Sequence, residues 1–463
     1  MRGVAVIGLV VACATASGAQ AASLYVNPAR PGCSDAASVA AAGNPATPWC
    51  TLAPPSRLAR PGDVVHLACA TYASELRPTA SGAPGQPIVY QADGPVTIVA
   101  PSGTVSVMFT GVHDIALRDL TIRAAALQAV WIDNAARVTL VDDTISNSGG
   151  PGVQIKRGTD TVITGSRLVN SAGAGLLETS AASGTILRSS TVSGNGKDGQ
   201  KYNGDGVGLA GSNATVVDNV ITGNGDGIGF EHGVYAGATA TGYTIERNRI
   251  GDNAGADIKA AGGPGLVADN RLGSSMFGLV ISDNPAVVTF EYNLIQGAFQ
   301  HGILVTTGNT PARARLWNNT VEQTGRSTAS GNASAVFVVS AAQLELRNNL
   351  LAYTNPDLLG SALLVNDQTL VGSFDSDTNW FASPDPQGLR VAWNGARVSF
   401  ARWQALSGQD AGSIASAPPA FDADGRVAST NLGAGKGTPL GLDHDLAGTP
   451  LDTPPDIGAF EDD

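Results

Sequence analysis

Short alternations of apolar and polar residues run through most of the chain. Gly152-Val153-Gln154-Ile155, Gly206-Val207-Gly208-Leu209, Gly278-Leu279-Val280-Ile281 and Gly302-Ile303-Leu304-Val305 each place a brief period-two segment behind a glycine. Alternation this short, punctuated by Gly and Asn, predicts strands and turns. Helical periodicity is almost absent. Between the strands an apolar-x-x-(Asn/Asp/Ser)-x-apolar pattern recurs. Its polar slot falls on Asp143, Ser166, Ser190, Asn219, Asn248, Asn270, Asn293, Asn319 and Asn349, at intervals of 22 to 30 residues. The segment Leu117-Arg118-Asp119-Leu120-Thr121-Ile122 starts the series one coil earlier.

A period of this length with several short strands per repeat predicts a parallel β-solenoid of about ten coils. Inward residues of one coil stack on those of the next, and coils rise by the ~4.8 Å spacing of paired strands. The polar slots stack too. The asparagines from Asn219 to Asn319 are expected to form an amide ladder in one turn, each satisfying its neighbour. A leucine-rich repeat would need an L-x-x-L-x-L pattern, which is missing. The expected division is a cap and first coils over 22–110, repeats over 111–379, and an irregular closing segment over 380–463 packed on the helix.

Composition narrows the function. Hydrophobic residues make up 43% of the 463, which excludes general disorder. The 58 glycines follow no three-residue period, which excludes collagen. A net charge of −12 argues against a nucleic-acid binder. Arg2, the apolar run Gly3 to Ala12 and the site Ala19-Gln20-Ala21 predict an export signal over 1–21, hence a secreted or periplasmic protein. An alternative reads Val10-Val11-Ala12-Cys13 as a lipobox that leaves a lipid on Cys13. No later segment is long and apolar enough to span a membrane. Cys33 and Cys50 bracket a loop of small and polar residues and are expected to pair in an oxidising compartment. Cys69, inside the apolar run Val64 to Ala70, is expected to be a buried small hydrophobe.

Candidate chemistry concentrates in the two 29-residue intervals between Ser190 and Asn248, where loops are added to a rigid scaffold. Four of the five lysines, Lys156, Lys197, Lys201 and Lys259, lie within about five coils. Aligning the strands puts Val153, Val207, Val234, Ile258, Leu279 and Ile303 in one inward column. The following residues, including Gln154, Gly208, Tyr235 and Lys259, then point outward. Tyr235 and Lys259 should therefore be neighbours on adjacent coils, as should Asp205 and His232. Together these four form one outward patch, with Gln154, Lys156, Lys197, Lys201 and Tyr202 as substrate-binding candidates around it. A closing segment that covered the patch would favour a structural rod; an open patch favours an enzyme.

The repeats resemble the right-handed parallel β-helix of the pectate-lyase-like superfamily. Tyr25-Val26-Asn27, Cys33-Ser34-Asp35, Pro48-Trp49-Cys50-Thr51-Leu52, Pro61-Gly62-Asp63 and Ala70-Thr71-Tyr72 resemble the cap of its secreted polysaccharide lyases. Trp403-Gln404, Gly408-Gln409-Asp410 and Pro455-Asp456-Ile457-Gly458-Ala459-Phe460-Glu461 resemble its closing segment. The resemblance implies an acidic, uronate-containing polysaccharide as substrate; a monomer is the expected working unit. Cleavage by β-elimination needs a base, an acid and neutralisation of the carboxylate. Lys259 is assigned neutraliser or base, Tyr235 acid or acid/base, and His232 base or orienter, with Asp205 holding His232 or a calcium ion. Alternatives on the same fold are a uronan epimerase, a non-catalytic glycan-binding or structural helix, and a hydrolase. The hydrolase is what a partial resemblance to polygalacturonases implies, since Asn203-Gly204-Asp205, His232-Gly233 and Ile258-Lys259 resemble their pattern although its Asp-Asp pair is missing, and it would pair Asp205 with Asp226 or Glu231.

Overall fold

The structure is a computed structural model. It describes residues 21–462 apart from 102, 125, 198–203, 228–230, 285, 309, 326–332, 357–359, 367, 385–390, 394–395 and 429. The export signal, the lipobox Cys13, and the candidates Lys201 and Tyr202 therefore lie outside the described residues.

The described chain winds as an all-β parallel solenoid of about eleven turns, close to the ten expected. Its strands form a 26-stranded and a 13-stranded sheet. The smaller sheet takes one strand from each coil, among them Val207–Leu209, Val234–Ala236, Ala256–Ala260 and Phe277–Ile281. The larger sheet takes the other two, such as Thr215–Val217 and Val220–Thr222. Inward columns such as Val153, Leu176, Val207, Val234, Ile258, Leu279 and Ile303 are fully buried and form one continuous core.

Register is held by side-chain ladders. Asn219 donates its backbone N–H and its Nδ2 to Oδ1 of Asn248, both at 3.0 Å. Asn248 does the same to Asn270, and the chain of amides runs on through Asn293, Asn319 and Asn349 to Asn379. At its early end the slot is taken by Ser190, Ser166 and Asp143, whose Oδ1 accepts the Leu120 N–H at 2.8 Å. The slots are buried, so their amides and hydroxyls are paired inside the protein. A second ladder, absent from the sequence reading, runs through Ser171, Asn195, Asn224, Asn253 and Ser275. It lies at the turn leading into the smaller sheet.

The ends are closed differently. At the start, strand Ser23–Val26 pairs with Val64–Tyr72, and Trp49 is wholly buried with its Nε1 donating to the Ala37 carbonyl. Cys33 and Cys50 form the expected disulfide. Cys69 is exposed, contrary to expectation. The register slips between Ala68 and Ala70, and this bulge puts Cys69 out of phase with buried Leu67. At the far end, the helix Phe400–Ser407 brings Trp403 inward, and its Nε1 donates to Asp410 Oδ2 at 2.8 Å. Asp410 and Ser413 cap the amide ladder at Asn379. Strands Trp380–Ala382 and Ile414–Ser416 continue the larger sheet. The tail then folds back over that sheet, where Ile457 packs with Leu350 and Trp380, and Ala459 and Phe460 pack with Leu294.

Candidate active site

The smaller sheet aligns Gly208 with Tyr235, Tyr235 with Lys259 and Lys259 with Val280. The preceding turn is tight. A Cβ on Gly233 would lie 2.6 Å from the Asp257 carbonyl oxygen and 2.7 Å from Asn253 Nδ2. The backbone therefore passes close against the second ladder, sending His232 to the outer face and Val234 into the core.

Four predicted residues meet here. The Lys259 ammonium lies 5.2 Å from the centroid of the Tyr235 ring. The His232 ring sits 5.7 Å from the Tyr235 ring, tilted by 50°. Asp205 Oδ1 accepts the His232 backbone N–H at 2.7 Å. Asp205 thus holds the His232 main chain rather than its imidazole. The imidazole is held from the next coil, because its Nδ1 accepts the Ala256 N–H at 3.0 Å. That bond puts the ring proton on Nε2.

Exposure divides the group. Asp205 and His232 are 4% and 6% exposed, whereas Tyr235 and Lys259 are half-buried. A bound molecule would therefore meet Tyr235 and Lys259 first. Burial sets the protonation states. It pushes the Asp205 carboxyl up to about 7, against the His232 N–H and helped by Glu231. It pushes His232 down to about 3, with the Lys259 charge adding to the effect. The Tyr235 phenol is raised by burial and by the carboxylates of Asp205 and Asp283. The Lys259 ammonium is lowered by burial, while the same two carboxylates oppose the shift. The patch therefore pairs a phenol kept protonated with an amine eased toward its neutral form.

Asp283 was missed by the sequence reading. Its Oδ1 accepts the N–H groups of Gly308 and Thr310 at 2.8 and 3.0 Å, which fixes its carboxylate near Lys259. Its signal was weak, since it follows the strand rather than lying in the aligned columns. Trp131 was also missed, although the alternation that picked out Gln154 places it one coil earlier on the same face. The Lys156 ammonium lies 5.7 Å from the Trp131 ring centroid. Gln154 is half-buried and sits three strand pairings from Tyr235, through Leu177 and Gly208. That is roughly 14 Å along the sheet. Lys197 is exposed, and its ammonium bonds the Gly225 carbonyl.

Among the described residues, contacts of the tail beyond Ser416 include Leu294, Thr320, Asn318 and Asn348 on the side of the larger sheet, while Val391–Trp393 joins the far end of the smaller sheet beside Leu364. The patch also offers little to calcium. Among the described residues no group of three or more His, Cys, Asp or Glu side chains is arranged to hold a metal ion. Asp205 is nearly sealed, with Oδ1 already engaged, and does not fit a calcium ion. Glu231, one candidate partner of Asp205 in a hydrolase, is wholly buried.

Comparison with known proteins places the fold. The sequence matches the family described as right handed beta helix region over residues 105–242 and 201–351, more than half of the chain in all. No curated protein matches it by sequence. Similar solved structures include pectate lyase Pel9A at 13% identity, covering 96% of this chain and 98% of that one with a TM-score of 0.43. The alginate lyase from Paenibacillus sp. str. FPU-7 shares 13% identity over 61% of this chain and 91% of its own, with a TM-score of 0.41. The periplasmic alginate epimerase AlgG shares 14% over 63% and 77%, with a TM-score of 0.45. The solenoid, its ladders and the family match agree, and the chain belongs to the right-handed β-helix family.

Proposed function

We propose that this is an exported carbohydrate-active protein that cleaves an acidic, uronate-containing polysaccharide by β-elimination on the outer face of the smaller sheet. The Cys33–Cys50 disulfide supports an oxidising compartment, secreted or periplasmic. The observation that carries the reaction is the in-register pairing of Tyr235 with Lys259, backed by His232 and Asp205.

Elimination assigns each group a task. Lys259, eased toward the free amine by burial, takes the proton α to the uronate carboxylate. Tyr235, whose phenol burial keeps protonated, gives its proton to the leaving glycosidic oxygen. His232 is neutral with Nε2–H available, so it acts as a donor toward the carboxylate rather than as a base. Asp205, close to half-protonated at neutral pH, positions His232 through its backbone. The bond between the sugar's C4 and the glycosidic oxygen breaks, a C4–C5 double bond forms, and the α proton ends on Lys259. Trp131, Gln154 and Lys156 lie along the same face and would meet more distant sugars of the chain.

Ultraviolet absorbance during incubation with polygalacturonate, alginate and glycosaminoglycans tests the reading. A rise from unsaturated uronate supports it. New reducing ends without that rise would replace it with hydrolysis.

A further inference from the structure

We propose that a trough on the larger sheet, remote from Tyr235 and Lys259, is a second glycan-binding site that takes the carboxylates of an acidic polysaccharide. Four adjacent strands build it: Val220–Thr222, Arg249–Gly251, Arg271–Gly273 and Leu294–Gln296. Arg249 pairs directly with Arg271 in parallel register, so the two side chains leave one face roughly 4.8 Å apart. Beside them Gly251 pairs with Gly273. A Cβ on Gly251 would lie 2.6 Å from the Gly273 carbonyl oxygen, and one on Gly273 would lie 2.3 Å from that of Gln296. Two bare positions next to two arginines leave a cavity of about 640 Å³.

The tail completes it. Ala423 and Asp424 form the far wall. The Asp424 carbonyl accepts from Arg271 Nη1 at 2.9 Å, and the Arg271 guanidinium lies 5.7 Å from the Phe460 ring centroid. Arg271 is therefore held in place before any ligand arrives, which lowers the cost of binding. Thr222, Ser274 and Gln296 add neutral polar groups, Asp252 on one side and Asp424 on the tail each add a carboxylate beside the two guanidiniums, and Val220, 43% exposed, adds an apolar edge for a sugar ring.

Like charges directly opposite on paired strands repel. A bound anion relieves that repulsion, and a guanidinium fork matches a carboxylate with two parallel hydrogen bonds. In a chain of net charge −12 such a pair selects an acidic glycan over a neutral one. The inference depends on the function proposed above only for the class of ligand, an acidic glycan, and not on the elimination.

Calorimetric titration of the full chain carrying Lys259→Ala, so that no ligand is consumed, tests the site. The probes are oligogalacturonate, oligomannuronate, a sulfated glycan oligomer and a neutral cello-oligomer. Arg249→Gln, which leaves the Arg271 contacts with the tail intact, is expected to weaken uronate binding about tenfold or more. Arg249→Lys is expected to fall between, and added salt to weaken binding by the chain that carries Lys259→Ala alone. Equal affinity for all three proteins, or equal binding of neutral and acidic oligomers, would overturn the site. Binding of the sulfated oligomer alone would overturn the carboxylate assignment. Product formation by the wild-type chain reports separately on the elimination, so the two proposals fail independently.

Discussion

Tyr235 and Lys259 occupy paired positions on adjacent strands, and the lysine ammonium sits 5.2 Å from the centroid of the tyrosine ring. Neither side chain belongs to the core, which lies on the other face with Val234 and Ile258. Chemistry at this pair can therefore be removed without dismantling the solenoid.

Tyr235→Phe and Lys259→Ala are each expected to lower the rate of unsaturated-product formation by about 100-fold or more, the usual contribution of a positioned acid or base. Thermal unfolding should change little, because both side chains are partly solvated and outside the core. Initial rates and melting curves on the same preparations check both halves.

Asp205 couples the pair to pH. Its carboxyl is raised to about 7, and its charge, when present, partly offsets the lowering of the Lys259 ammonium by burial. As pH rises through 7 the new negative charge opposes loss of the lysine proton. Asp205→Asn removes that charge, so the limb on which activity rises with pH should move to lower pH. A pH–rate profile reads the shift, and an unmoved limb would remove Asp205 from the assignment.

Asp143 affects stability rather than activity. Burial raises its carboxyl to about 8, from an ordinary value of 3.8. Its Oδ2 has no hydrogen-bond partner among the described residues. The folded state therefore binds more protons than the unfolded state between these values, and stability falls as pH rises across that window. The slope is up to about 1.4 kcal/mol per pH unit. Asp143→Asn keeps an acceptor for the Leu120 N–H and abolishes the slope. Its melting temperature should exceed the wild type's by a margin that widens from pH 5 to pH 8.

Asn270 tests the ladder. Asn270→Ala leaves the buried Asn248 backbone N–H without its acceptor and removes one of two partners from Asn248 Nδ2 and from Asn293 Oδ1. The cost should be about 3 kcal/mol or more in urea unfolding. Asn270→Ser should cost less, since Ser166 and Ser190 fill the same slot with one hydroxyl acceptor.

The regular parts of the molecule were legible in the sequence because stacking repeats a local rule at every coil. The inward column from Val153 to Ile303, the amide slots and the Tyr235–Lys259 pairing all follow from period-two alternation and a recurring polar turn. Features that break the rule were not legible. The bulge at Ala68–Ala70 turned Cys69 outward. The second ladder of Asn195, Asn224 and Asn253 sits in an irregular turn without flanking apolar markers. The imidazole of His232 is committed to the Ala256 N–H, a bond between coils that no sequence spacing reveals. Asp283 reaches the site from a turn, and the Arg249–Arg271 trough is completed by a tail that folds back 153 residues to meet Arg271.

Elimination at Tyr235 and Lys259 leaves a mark that hydrolysis does not, and mass spectrometry of products made in heavy-oxygen water reads it. New ends that are unsaturated and carry no label are expected from the wild type and should be lost in Lys259→Ala. Incorporation of one heavy oxygen per cleavage, or unsaturated products formed equally by Lys259→Ala, would contradict elimination at this pair.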